Sequence, residues 1–219
     1  MNLLAKITSW VFLPLFAPVY ALLILFYLPV SPVLAADNST LYGLNPPAKW
    51  LLINLFFALS FLAPAITLFV LFLQKRITTL MLADRKERIF PSIMVNVYAI
   101  LLLLLLLRLL PKEMSGYAFI IGLSFGSFLA VLIATIITTR WKISLHAVGM
   151  GILTGTVFTY FLHLGQYPVW LVPALIFNSG FVLSMRMVLK AHDLSQLFAG
   201  YALGFLATNL SIQALIYFL

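Results

Sequence analysis

The sequence predicts an all-α fold, a polytopic bundle of about seven membrane-crossing helices, and two observations carry that reading. Hydrophobic residues make up 64% of the 219 residues and charged residues only 8%, whereas an ordinary soluble domain is roughly 25% charged. The apolar residues also gather into seven runs, over residues 10–35, 50–73, 92–110, 117–139, 145–164, 169–185 and 195–218, each close to the roughly 20 residues with which a helix crosses a bilayer. No polar block is long enough to fold by itself, so residues 1–219 are expected to form one transmembrane domain.

Each run has its own punctuation. The first carries Pro14, Pro18, Pro29 and Pro32 and is the least regular; Ala35-Ala36 resembles a signal-peptide cleavage site, but the run is longer than the usual apolar core of a signal, so a retained helix is expected. Asn45-Pro46-Pro47 precedes the second run, Pro91 is expected to open the third, and Pro111 ends it. Gly122 with Gly126 in the fourth run and Gly151 with Gly155 in the fifth are small-residue pairs at the spacing that lets membrane helices approach closely. Gly165-Gln166-Tyr167-Pro168 turns the chain into the sixth run. Approaching and entering the seventh, His192, Gln196, Gly200 and Gly204 recur along one helical stripe. Trp10, Trp50, Trp141 and Trp170 lie near run ends, as interfacial anchors do.

Charge gives an orientation and removes some functions. Threading seven spans from the N-terminus puts ten basic residues on one face: Lys6, Lys75, Arg76, Arg85, Lys86, Arg88, Arg140, Lys142, Arg186 and Lys190. Lys49, Arg108 and Lys112 make three on the other, and the positive-inside rule then makes the first face cytoplasmic. Setting aside Lys86, Arg88, Lys142 and Arg186 as site residues leaves six against three, the same sign. The net charge of +8 is spread over short turns between apolar runs, which fits attraction to anionic phospholipids and not a nucleic-acid surface. The chain has no cysteine, so disulfides and thiolate nucleophiles are closed off. No His, Asp and Glu cluster has metal-ligand spacing, and neither a metal nor another cofactor is expected.

Ionisable residues are costly near hydrocarbon, so their concentration at a few run ends marks a candidate site. Arg88 and Arg186 offer planar forks matched to phosphate oxygens, and Lys86 and Lys142 offer compact ammonium charges. Ser144 stands where the fifth helix is expected to begin, with free backbone amides beside its hydroxyl. His146 and His192 supply the two groups that metal-free phosphoryl transfer needs, a nucleophile and a general acid. Gln196, one helical turn beyond His192, is placed to hold the far ring nitrogen. Asp193 points about 100° away from that stripe, so Asp84 or Glu87 is the better candidate for a displaced carboxylate.

These residues resemble the motifs of the type-2 phosphatidic acid phosphatases, whose membrane members dephosphorylate lipid phosphates without a metal. The family's Pro-Ser-Gly-His motif is matched by Ile143-Ser144-Leu145-His146 at the serine and the histidine. Its Ser-Arg-(five)-His-(three)-Asp motif is matched by Arg186 and His192, with Gln196 in the place of the aspartate. Its Lys-(six)-Arg-Pro motif is echoed by Lys86-Glu87-Arg88-Ile89-Phe90-Pro91, where the lysine is too close and the proline displaced. The resemblance implies a hydrolase of the cell membrane, expected in the bacterial cytoplasmic membrane, with His192 as nucleophile, His146 as acid, Gln196 orienting His192, and Lys86, Arg88, Lys142, Ser144 and Arg186 holding the phosphate. Its partner would be a lipid phosphate or diphosphate within the bilayer. Two other classes stay open: a lapsed relative that binds phospholipid headgroups as a structural or regulatory protein, and a small transporter or scramblase.

Overall fold

In a computed structural model the described residues are 2–30, 40–80, 85–114, 116–165 and 168–218, and among them every regular element is helical. In chain order they are α1 (Asn2–Val11), a 3₁₀ turn (Pro14–Phe16), α2 (Ala17–Tyr27), a second 3₁₀ turn (Leu41–Gly43), α3 (Pro46–Phe56), a π-helical stretch (Phe57–Leu62) and α4 (Ala63–Leu73). Then come α5 (Arg85–Leu109), α6 (Tyr117–Thr138), α7 (Leu145–His163), α8 (Leu171–Val188) and α9 (Leu194–Phe218). Among the described residues seven helical stretches are long and apolar enough to cross a membrane, with α1 and α2 forming one and α3 through α4 another.

Two boundaries differ from the sequence reading. The first stretch begins at Leu3 and not at residue 10, and its helix ends at Tyr27; the expected continuation to residue 35 lies largely outside the described residues. It breaks only around Leu13, because the residue before a proline avoids the α conformation, and Leu13 has ψ 136° ahead of Pro14. Pro91 does not open the third stretch, since α5 starts at Arg85 and carries Pro91 inside it. A proline there removes a single intrahelical bond, the one its own N–H would give to the Glu87 carbonyl. Arg88 and Ser92, buried on either side of it, hold the turn in place by packing.

The centre of the bundle is α7, whose span is the most completely buried of the seven. It packs most extensively on α9, α9 packs on α6, α6 on α5, and α2 lies across α7. Lipid tails are as apolar as leucine, so helices in a bilayer associate through close fit and not through hydrophobic exclusion. The fit here is glycine against backbone. A Cβ on Gly200 would sit 2.7 Å from the Ser144 carbonyl oxygen, one on Gly204 would overlap the Val148 carbonyl, and one on Gly126 would meet the Thr208 Cα at 2.6 Å. Gly151 and Gly155 face α9 in the same way from the other side. A Cβ on Gly180, by contrast, would have nothing within 4 Å of it. Gly204→Leu is therefore expected to cost at least the roughly 1–3 kcal/mol of an overpacked core, whereas Gly180→Leu should stay within about 0.5 kcal/mol of the parent. Reversible unfolding in mixed detergent measures both, and equal effects would remove the glycine contact as the organising feature.

Candidate functional site

Four of the residues singled out from the sequence line one cavity: Arg88 from the first turn of α5, His146 from the first turn of α7, Arg186 from the last turn of α8, and His192 from the link between α8 and α9. Its volume is about 120 Å³, and at roughly 10–15 Å³ per water-sized sphere this is room for a tetrahedral anion. All four side chains are buried. Arg186 is only 8% exposed, and its Nε has no hydrogen-bond partner among the described residues. A buried guanidinium N–H without an acceptor is costly, so the position favours an incoming anion.

His192 is held as the stripe requires. Its Nδ1–H donates to Gln196 Oε1 at 2.9 Å, because an amide oxygen can only accept, and Nε2 is left with its lone pair. Burial first, and then the charges of Arg88, Arg186 and Lys142, push the His192 pKa down to about 4, against the opposing pull of the Gln196 hydrogen bond. The imidazole is therefore neutral at physiological pH and presents a free Nε2. Lys142, behind the cavity and outside its lining, is itself held below the ordinary lysine range by burial and by Arg88 and Arg186.

The N-terminal helix closes this arrangement. Ser9 Oγ accepts a hydrogen bond from Arg186 Nη1 at 3.0 Å, and the Ser9 carbonyl lies 3.0 Å from His146 Nε2. A carbonyl only accepts, so His146 carries its proton on Nε2 and spends it on α1. The helix turns Ala5, Thr8 and Ser9 inward and leaves Leu3, Leu4, Ile7, Trp10 and Val11 on its outer face. Ser9 was not visible from spacing; the available signal was this short stripe of small residues on an otherwise apolar helix.

Other expected site residues are placed differently. Ser144 is 0% exposed and does not line the cavity; its hydroxyl accepts from the Ala147 N–H at 3.4 Å as the N-cap of α7, which uses the serine for helix termination. Lys86 is exposed and also outside the lining. Glu87 is turned to the preceding loop, where it accepts from the Thr78 N–H and hydroxyl. Asp193 caps α9 by accepting from the Gln196 N–H at 2.9 Å, and Asp84 lies outside the described residues. Among the described residues no three His, Asp or Glu side chains gather as metal ligands.

No family model matches the chain, and no curated protein and no solved structure is significantly similar to it. The site thus rests on its own geometry, and the His192 environment is directly measurable. In an NMR titration the His192 ring is expected to protonate near pH 4, below the ordinary histidine midpoint of about 6.5. Gln196→Glu should move that midpoint upward, because a carboxylate favours the imidazolium whereas the amide does not. A wild-type midpoint at the ordinary value, unmoved by Gln196→Glu, would contradict the buried, arginine-facing placement.

Proposed function

We propose that this is a membrane-embedded phosphatase that releases phosphate from a lipid phosphate or diphosphate through a covalent phosphohistidine, in the manner of the type-2 phosphatidic acid phosphatases. The observation that carries the reading is the buried Arg186 with an unpartnered Nε, set beside Arg88 and a neutral His192 in one cavity. Arg88 and Arg186 hold the phosphate oxygens. The His192 Nε2 lone pair forms the new N–P bond as the P–O bond to the lipid breaks, and His146, made an imidazolium by a proton taken up with the phosphate, gives its Nε2 proton to the leaving oxygen and becomes neutral. Water then attacks phosphorus, its proton returns to His146, and His192 leaves neutral. The charge count favours a site that faces the cytoplasm, and the bacterial cytoplasmic membrane is the proposed setting.

Gln196 favours a second reading, a lapsed relative that holds phospholipid headgroups, because a neutral amide fixes the His192 tautomer without stabilising an imidazolium. The two readings part on phosphate release. Purified protein in vesicles, assayed without added metal on a panel of lipid phosphates and diphosphates, is expected to release phosphate; His192→Ala should abolish release while the bundle stays folded, and Arg186→Lys should lower it by about 10²-fold or more through loss of the fork. No release from any substrate, together with anionic-lipid binding that falls in Arg186→Ala and not in His192→Ala, would establish the headgroup receptor instead.

A further inference from the structure

A second cavity adjoins the basic one on its membrane side. Pro14, Leu15, Ser92, Val95 and Leu145 line both. Beyond them the second cavity runs between α5, α6 and α7, past Ala99 and Ser127, to Leu102, Ser124 and Ile152. From Ser92 to Leu102 is ten residues of α5, about 15 Å at the helical rise of 1.5 Å, so its far end lies about halfway through a hydrocarbon layer roughly 30 Å thick. Its volume is about 90 Å³, equivalent to some six to nine water-sized spheres at about 10–15 Å³ each. Strung over about 15 Å, that is a path one file wide.

The second span is shaped around this path. Phe56 lines it from the end of α3, and Leu59 and Ser60 line it where the helix is π-wound between Phe57 and Leu62. Pro64 follows and has no N–H for the Ser60 carbonyl, and its ring crowds that carbonyl. The widened turn accommodates the proline and opens the inner face of the helix, as π-bulges at functional sites do. On the opposite wall α6 presents Ser124 and Ser127, small side chains whose buried hydroxyls have no partner among the described residues.

We propose that the two cavities form one binding site for a lipid phosphate with a single hydrocarbon chain, its phosphate among Arg88, Arg186 and His192 and its chain extended along α5 toward Leu102. An extended chain advances about 1.2 Å per bond, a third of an extended residue, so about twelve carbons span the length of the path, and the walls must part to admit them because the resting volume is about six to nine water-sized spheres. The basic end matches the charged end of such an amphiphile and the apolar bore matches its tail; a second chain has no room beside the first. The headgroup end rests on the phosphatase reading, and the chain path is tested apart from it.

The probe is dodecyl phosphate carrying a diazirine near the chain end, photolysed with the full-length protein in phosphatidylcholine vesicles. Labelling is expected on peptides containing Leu102, Ser124 and Ser127, displaced by unlabelled dodecyl phosphate at least tenfold more effectively than by a two-chain phosphatidate. Ala99→Phe, which places a ring in the path, should reduce that labelling about tenfold; Ser127→Leu serves the same end from the opposite wall if the first variant does not fold. Labelling confined to residues on the outer surface of the bundle, such as Ile100, Leu104 and Ile136, overturns the path, as does equal displacement by the two-chain lipid. Phosphate release in the same vesicles separates the two ideas. Labelling along the path without release sinks the phosphatase and keeps the path, and release with labelling only on the outer surface does the reverse.

Discussion

The contact on which the site depends is between two backbones. With glycine at positions 200 and 204, α9 lies directly on the first turns of α7, and the Ser144 N–H reaches the Gln196 carbonyl at 3.4 Å. The spacing between His146 and the His192–Gln196 pair is therefore set by main-chain atoms, which cannot adjust by changing rotamers. A phosphoryl-transfer site needs its reacting groups held to fractions of an ångström, and a rigid scaffold supplies this better than a loop. In a bilayer the same contact is also a principal source of helix association, since dispersion at close approach replaces hydrophobic exclusion. One set of glycines thus serves both the assembly of the bundle and the register of the site.

The apolar periodicity made the seven spans legible because a bilayer demands length and apolarity from every crossing helix. Their ends were less legible. Pro91 carries the sequence signature of a helix start, yet tertiary packing around Arg88 and Ser92 outweighs the loss of one hydrogen bond. Arg88, His146, Arg186 and His192 stood out because charge is rare in so apolar a chain, and the His192–Gln196 bond followed from a spacing of one helical turn. Ser144 was assigned to phosphate because a serine ahead of a helix suits both an anion site and a cap; only the structure distinguishes them, through its complete burial and its bond to Ala147. Ser9 belongs to no motif. Its role arises from a contact across most of the chain's length, which single-sequence spacing does not encode.

Electrostatically the pocket gathers positive charge around a neutral imidazole. Arg88, Arg186 and Lys142 together depress the basicity of His192, and two of them depress Lys142 in turn. On the reading proposed above, a phosphate would meet these cations together with an imidazole in its neutral, nucleophilic form.

The orientation of α1 links the pocket to the surrounding medium. A helix at a protein surface in water turns its apolar face inward, whereas α1 gives its small polar stripe to Arg186 and its five large apolar side chains to the outside. Its seating is therefore a partition between two surroundings, with hydrogen bonds to the site on one side and the bilayer on the other. The helix that holds the Arg186 guanidinium through Ser9 is thus the same one whose opposite face meets the lipid, so the site and the outer surface of the bundle are there only one helix apart.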